Sequence, residues 1–181
     1  MKGKRITITE MVPVSVMAAV LCVIGPFTIP VTVVPVSLLP VVLYLMAYVL
    51  GMWKATAGCL IYICIGLIGL PVFSGYSGGP GMLFGPTGGY IFGYLLLTMC
   101  SGFFIERSAK RCWQMLGMLT GLFLCYLLGT IWLMLMMHLT PGQAVMTGVA
   151  PFVVFDLLKI AGAGLIGPLF RRQLKRANLI S

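Results

Sequence analysis

The sequence predicts an all-α integral membrane protein of six transmembrane helices with both termini in the cytoplasm. The chain has 181 residues, of which 60% are hydrophobic and 8% are charged, whereas soluble domains carry roughly 25% charged residues. A mean hydropathy of +1.10 places most of the chain in lipid. Because a membrane helix needs ~20 residues, six of them would occupy most of the chain. We therefore predict a single membrane domain over residues 1–181.

Six apolar runs separated by helix breakers define the predicted spans. The second and third runs are separated only by residues 51–54, and the presence of Lys54 together with their combined length favours a hairpin over one long helix. The first run follows a basic start, as in a signal peptide, but no clear A-x-A cleavage site follows it. We therefore predict a retained first helix. The spans are residues 11–29, 33–51, 54–70, 87–105, 113–138 and 150–169.

The basic residues predict how these helices are oriented. With six spans, eleven lysines and arginines fall on one side, and the other three connections, at about 25–33, 71–86 and 139–149, contain none. Basic loops stay in the cytoplasm, so we predict a multi-pass protein of the cytoplasmic membrane. The net charge of +9 is then a topological signal, because no basic stripe with interleaved aromatic residues indicates nucleic-acid binding. The eleven residues are Lys2, Lys4, Arg5, Lys54, Arg107, Lys110, Arg111, Arg171, Arg172, Lys175 and Arg176.

Metal, disulfide and ATP chemistry are not indicated. The six cysteines form no C-x-x-C pair, and His138 is the only histidine. The glycine-rich stretch between the third and fourth spans has no Gly-Lys-[Ser/Thr] sequence, which a P-loop requires. We therefore predict no cofactor and no ATP hydrolysis by this chain, so energy for transport would come from an ion gradient or a partner subunit.

Two charges remain inside a predicted span, and they are the main candidates for ligand contact. Asp156 and Lys159 lie three residues apart in the sixth span, so their side chains share one helix face. Ionisable residues within a membrane are functional candidates, although the two could also form a structural ion pair. A helix that begins near Ala150 on the outer side puts both about one to two turns below the outer surface.

The connection between the third and fourth spans is the second candidate element. Its repeated glycines and prolines prevent a continuous helix over residues 69–90. Because it keeps the aromatic residues Phe73, Tyr76, Phe84 and Tyr90, we predict a loop folded over an outward cavity, where it offers rings and backbone N–H groups to a small ligand. The alternative is an irregular surface loop.

Two weaker patterns complete the candidates. Residues 75–78 match the G-x-S-G string of rhomboid intramembrane proteases, with Ser77 as nucleophile and His138 as the sole available base. In the first span, Ser15, Ala18, Ala19 and Cys22 make small-x-x-x-small spacings that let another helix approach closely. Internal packing explains that stripe equally well.

Four motifs give the sequence a family resemblance that covers most of the chain. It resembles the BioY family, the biotin-binding S components of energy-coupling factor (ECF) vitamin transporters. The motifs follow one another in the family's order. They are GLIGLPVF at residues 66–73, GPTGGYIFG at 85–93, YLLGTIW at 126–132 and PFVVFDLLK at 151–159.

The resemblance implies a six-helix subunit that binds biotin from outside, with the loop after helix three as a lid. It also implies a complex with one membrane coupling subunit and two ATPases, in which small residues of helix one meet the coupling subunit; here these are Ser15, Ala18, Ala19 and Cys22. The expected function is therefore biotin uptake without catalysis. The expected biotin-binding residues are Asp156, Lys159, Phe73, Ser74, Gly75, Tyr76, Ser77 and Tyr90.

One stretch departs from the family pattern and leaves alternatives open. Family members often carry Phe-Thr-x-Gln at the start of span two, where this chain has Val-Ser-Leu-Leu at residues 36–39. A polar contact from that glutamine is not expected here. The alternatives are an S component for another vitamin, a solitary biotin carrier that works without ATPases, and the intramembrane protease.

Overall fold

The structure, a computed structural model, is a helical bundle. It describes residues 8–30 and 33–176, and for residues 8–10 and 175 it describes the backbone alone. Lys2, Lys4 and Arg5 lie outside the described residues. In chain order the elements are α1 Ile8–Ile24, β1 Thr28–Ile29, β2 Val36–Ser37, α2 Leu39–Leu67, α3 Pro80–Leu83, α4 Gly88–Arg107, α5 Arg111–Met137, α6 Pro141–Gly148 and α7 Val153–Arg176.

Four of these helices are long and apolar enough to cross a membrane. They are α2, α4, α5 and α7, and α1 adds a shorter apolar segment, Met11–Ile24. Their outward faces carry large exposed apolar side chains such as Val23, Phe123 and Leu135. In a soluble protein such a surface would be an aggregation hazard, but in a bilayer it contacts lipid. The chain is therefore a multi-pass membrane protein.

Helix α2 is broken at Gly51, where the chain reverses direction. Gly51 has φ 75° and ψ −175°, values that are not helical. Side chains from the two arms, residues 39–50 and 52–67, consequently meet: a Cβ added at Gly58 would lie 3.2 Å from the Met46 sulfur. Twelve residues of straight helix would separate these positions by about 18 Å. The turn falls at the start of the segment where the sequence predicts a hairpin.

The backbone angle favours glycine at position 51, because the left-handed φ is strained for other residues. A Cβ there would also lie 1.8 Å from Oε1 of Glu106 on α4, so the Glu106 side chain would have to shift. The same carboxylate oxygen accepts a hydrogen bond from the backbone N–H of Met52 at 3.0 Å. Glu106 thus satisfies an orphan donor at the start of the second arm, which fixes the turn against α4.

Helix α4 lies at the centre, packed mainly on α5 and α2. Small residues allow close approach: Cβ atoms added at Gly93 and Gly121 would lie 2.7 Å from the Cys125 sulfur and 2.9 Å from the Leu97 carbonyl oxygen. Close packing of small residues is how helices associate in lipid, where no hydrophobic force drives them together. These contacts position the part of α4 that faces the cavity described below.

Four short elements were not predicted from the sequence. Strands β1 and β2 form a two-stranded antiparallel ribbon that pairs Thr28 with Ser37. Helices α3 and α6 lie in connections that the sequence analysis treated as loops. Helix α6 begins with a capping box, in which Thr140 and Gln143 bond each other's backbone groups, so its T-x-x-Q pattern was a readable signal.

Candidate functional site

A crevice with two chambers lies between α4, α5, α7 and the ribbon. The first, the polar chamber, has about 430 Å³ of unfilled space, counting the part open to solvent, and is lined by Asp156, Lys159 and Tyr126 among others. The second, the loop chamber, has about 360 Å³ by the same measure and is lined by residues including Phe73 and Ser74. The two chambers share four lining residues, so they lie next to each other. The shared residues are Val34, Pro35, Tyr90 and Tyr94.

The polar chamber contains a compact hydrogen-bonded cluster. Lys159 Nζ donates to Asp156 Oδ1 at 2.6 Å and to the Ser37 carbonyl oxygen at 2.7 Å. The Tyr126 hydroxyl donates to Asp156 Oδ2 at 2.5 Å. Asp156 lies in the first turn of α7, where the helix dipole favours a carboxylate. The predicted proximity of Asp156 and Lys159 is therefore observed as a direct ion pair.

This cluster keeps unused hydrogen-bonding capacity. An ionised carboxylate has about four acceptor positions and an ammonium has three donors. Asp156 uses two acceptor positions and Lys159 uses two donors in the contacts described. Two acceptors and one donor remain on charged groups that line the chamber. Hydrogen bonds to charged groups are about twice as strong as neutral ones, so a small polar ligand has strong partners here.

The wall between the chambers is aromatic and rigidly held. The Tyr90 hydroxyl donates to the Gly148 carbonyl oxygen at 3.0 Å, and its ring packs where a Cβ at Gly129 would come within 2.4 Å. Tyr94, one turn further along α4, lines both chambers. The Tyr90 ring is held by the hydrogen bond of its hydroxyl and by its packing on Gly129. It therefore presents a fixed apolar surface to a ligand.

The loop after α2 contributes only part of its predicted residues to the crevice. Phe73 is fully buried, packs edge-on to Tyr62 at 5.6 Å between ring centroids, and lines the loop chamber together with Ser74. The loop closes on itself through the Phe73 N–H, which donates to the Ser77 carbonyl oxygen at 2.9 Å. The predicted lid residues Phe73 and Ser74 thus lie at the site.

The next three predicted residues do not line either chamber. The Gly75 N–H donates to the Pro26 carbonyl oxygen at 3.1 Å. Tyr76 is 62% exposed and stacks edge-on with Phe27 at 5.8 Å. The Ser77 hydroxyl donates to the carbonyl oxygen of Ser74 at 2.7 Å. Gly75 and Tyr76 therefore attach the loop to the end of α1, and Ser77 closes it.

The predicted small-residue stripe on α1 divides between two faces. Ser15 and Ala19 are exposed. Cys22 is half-buried and packs against the core, and Ala18 is only 2% exposed and belongs to the core. The face open to another helix therefore consists of Ser15 and Ala19.

The structure adds three site residues that the sequence analysis did not single out. Tyr126 belongs to a motif that carried the resemblance, and a buried hydroxyl on a membrane helix was a usable signal for a polar partner. Tyr94 repeats the aromatic position of Tyr90 one helical turn later. Ser37 contributes its backbone carbonyl, a group that every residue carries, so no sequence signal marks it.

The geometry does not assemble a serine–histidine pair. The Ser77 hydroxyl bonds within its own loop, whereas His138 is exposed at the end of α5, where it adopts a left-handed conformation. Among the described residues, no hydrogen bond joins the two, and no group of three or more His, Cys, Asp or Glu side chains is placed to hold a metal ion.

Apolar helices that enclose a small polar crevice define the chain as a membrane protein built to hold a solute. It belongs to the BioY family, whose model matches residues 1–176. It is 35% identical to the biotin transporter BioY of Thermotoga maritima over 87% of this chain and 92% of that protein. It is 32% identical to the biotin transporter BioY2 of Lactococcus lactis over 89% of each.

A solved structure shares the fold of the chain. The S-component for biotin from an ECF-type ABC transporter superimposes with a TM-score of 0.82 over 95% of each chain, at 22% identity. The two chains therefore have the same overall fold.

Proposed function

We propose that this chain is the substrate-specific S component of a biotin importer and that biotin binds in the two-chamber crevice. The family membership supports this, since the relatives at 35% and 32% identity are named as biotin transporters. The observation that carries it is the cluster of Asp156, Lys159 and Tyr126, which lines the polar chamber and keeps hydrogen-bonding positions that none of the described contacts uses.

The chemistry of biotin matches the free positions of the cluster. Its ureido ring offers two N–H donors and one carbonyl acceptor, and Asp156 and Lys159 retain two acceptors and one donor. The Asp156 carboxylate receives one ureido N–H group, and Lys159 donates to the adjacent ureido carbonyl. A ligand whose donors and acceptors complement a buried charged pair leaves no charge uncompensated. An apolar molecule of the same size would leave the remaining acceptors of Asp156 and the remaining donor of Lys159 without hydrogen-bond partners.

The valerate tail extends into the loop chamber in this arrangement. The thioether ring lies against Tyr90 and Tyr94, which line both chambers, and the tail continues toward Ser74 and Thr87. Their hydroxyls are donors for the terminal carboxylate. This orientation predicts that Thr87→Val weakens binding of biotin but has little effect on biotin methyl ester, since the ester has no carboxylate to pair. Equal weakening for both ligands would contradict this placement of the tail.

We also propose six membrane spans with both termini in the cytoplasm, the crevice opening outward, and a location in the cytoplasmic membrane. The reversal at Gly51 supports counting the two arms of α2 as separate spans. Arg107, Arg111, Arg171 and Arg172 surround one cavity, which supports a single basic end. Protease protection of tags fused to either terminus tests the orientation in membrane vesicles of known sidedness.

Import requires partners in this proposal, namely a membrane coupling subunit and two ATPase subunits. The exposed small residues Ser15 and Ala19 support a helix contact with the coupling subunit, because small side chains let helices approach. Biotin uptake in cells lacking the coupling module decides between this complex and a solitary carrier. Uptake that is retained without the module would favour the solitary carrier.

The experiment that tests the function is competition binding on the purified protein. Labelled biotin is displaced by unlabelled biotin, by desthiobiotin and by unrelated vitamins. We expect the two ureido compounds to compete and the others to fail. Binding of another vitamin in the absence of biotin binding would overturn the assignment and favour an S component for that vitamin.

A further inference from the structure

The molecule has a second polar cavity at the end opposite the crevice. Three helices separate the two sites: α4 from Tyr94 to Arg107, α5 from Tyr126 to Arg111, and α7 from Asp156 to Arg172. At 1.5 Å per residue these distances are about 20, 23 and 24 Å, which is most of the ~30 Å thickness of the hydrocarbon core. The cavity therefore lies near the membrane surface remote from Asp156.

The lining of this cavity is strongly basic. It holds about 880 Å³, counting the part open to solvent, and is lined by four arginines and a single acid, Glu106. That acid already accepts a hydrogen bond from the Met52 N–H. The arginines are Arg107, Arg111, Arg171 and Arg172.

Most donors of these arginines are unused in the described part of the chain. Arg171 donates to the Ile105 carbonyl oxygen at 3.3 Å, and no ion pair to any of the four is formed there. The other polar groups that line the cavity bond one another and not the arginines. The Tyr48 hydroxyl donates to Gln114 Oε1 at 3.1 Å, and Gln114 Nε2 donates to the Ser108 carbonyl oxygen at 2.9 Å. Each guanidinium carries five donors in a planar fork that suits phosphate, and four such groups line the cavity with one carboxylate, so its lining has an excess of positive charge.

The surroundings indicate an anion attached to lipid. Exposed Phe103, Trp113 and Phe170 flank the arginines on the outer faces of α4, α5 and α7. Tryptophan is enriched at the level of lipid headgroups, and apolar rings below an arginine cluster are suited to acyl chains. Basic pockets between membrane helices are known to bind anionic headgroups.

We propose that this cavity is a binding site for the phosphate headgroup of an anionic phospholipid, held by Arg107, Arg111, Arg171 and Arg172. The acyl chains descend along the apolar faces beside Trp113. The site is separate from the biotin crevice, so it adds a lipid requirement to this end of the subunit. It would also hold the α4–α5 connection and the end of α7 together.

Native mass spectrometry of the detergent-solubilised protein tests this. The protein is offered equal amounts of phosphatidylglycerol and phosphatidylcholine, and the bound lipid is counted per chain. The double variant Arg107→Gln/Arg172→Gln alters the cavity and leaves Arg171 in place. The matched control is Lys110→Gln/Arg176→Gln, which removes the same charge from residues at the same end that do not line the cavity. Melting temperatures in lipid-free detergent check that both variants are folded.

We expect the parent to prefer phosphatidylglycerol and the cavity variant to bind it roughly 30-fold more weakly, which corresponds to about 1 kcal/mol for each guanidinium. The control is expected to stay within about threefold of the parent. Equal losses in the two variants would show a diffuse charge effect and overturn the proposal, as would equal retention of phosphatidylcholine. Displacement by free glycerol phosphate at the same concentration would assign the site to a soluble anion instead.

Discussion

The ion pair in the crevice allows a test that separates ligand binding from structural packing. Asp156→Asn removes the negative charge and leaves the Lys159 ammonium with neutral acceptors alone, namely the Ser37 carbonyl oxygen and the amide oxygen at position 156. The two side chains are only 12% and 8% exposed, so the remaining charge is poorly solvated. Breaking a buried pair from one side costs about 3–5 kcal/mol. Lys159→Met leaves the opposite charge, although Tyr126 still donates to it.

The double variant Asp156→Asn/Lys159→Met removes both charges together. Neutral replacement of a buried pair is often close to neutral for stability, so we expect thermal unfolding of the double variant to approach that of the parent. Biotin binding should not recover, because the ureido ring has lost a charged acceptor worth about 2–3 kcal/mol. Isothermal titration should show affinities about 30- to 150-fold lower than the parent.

The comparison of the two measurements decides the role of the pair. A structural pair predicts that stability and binding fall and recover together across the three variants. A ligand-binding pair predicts recovery of stability alone. Parent-like affinity in the double variant would refute the reasoning from unused donors and acceptors.

Three further predictions concern the parts around the cluster. Tyr126→Phe removes one hydrogen bond to the carboxylate and should weaken biotin binding about tenfold in titration calorimetry, and unchanged affinity would show that the ligand does not depend on this orientation. Gly66→Ala places a Cβ 2.1 Å from the Phe73 ring and should displace the lid, which raises the biotin dissociation rate in stopped-flow measurements. The control is Gly162→Ala, whose added Cβ has no atom within 4 Å. It should match the parent rate. Ala19→Leu enlarges an exposed position on α1 and should keep biotin binding while reducing uptake with the coupling module, whereas lost binding would indicate internal packing.

The membrane helices and the charged pair could be recognised from the sequence because each depends on local information. A run of apolar residues long enough to cross lipid is visible without tertiary contacts. Asp156 and Lys159 stand out because charges are costly inside a membrane, and their three-residue spacing alone puts them on one helix face. Local spacing does not reveal which face of α1 the bundle buries, so Ala18 was grouped with the exposed Ala19.

What the sequence by itself determined is the class of the protein, the family resemblance and the two charges that anchor the site. The tertiary structure decided how those charges are completed. Tyr126 reaches Asp156 from another helix, and the β1–β2 ribbon brings the Ser37 carbonyl to Lys159. It also decided that Phe73 lines the site whereas Tyr76 faces away from it. These contacts join residues that are distant in the chain, and the one to Ser37 is made by a backbone atom. No pattern of residue types along the sequence therefore predicts them, because they depend on how the helices and the ribbon pack.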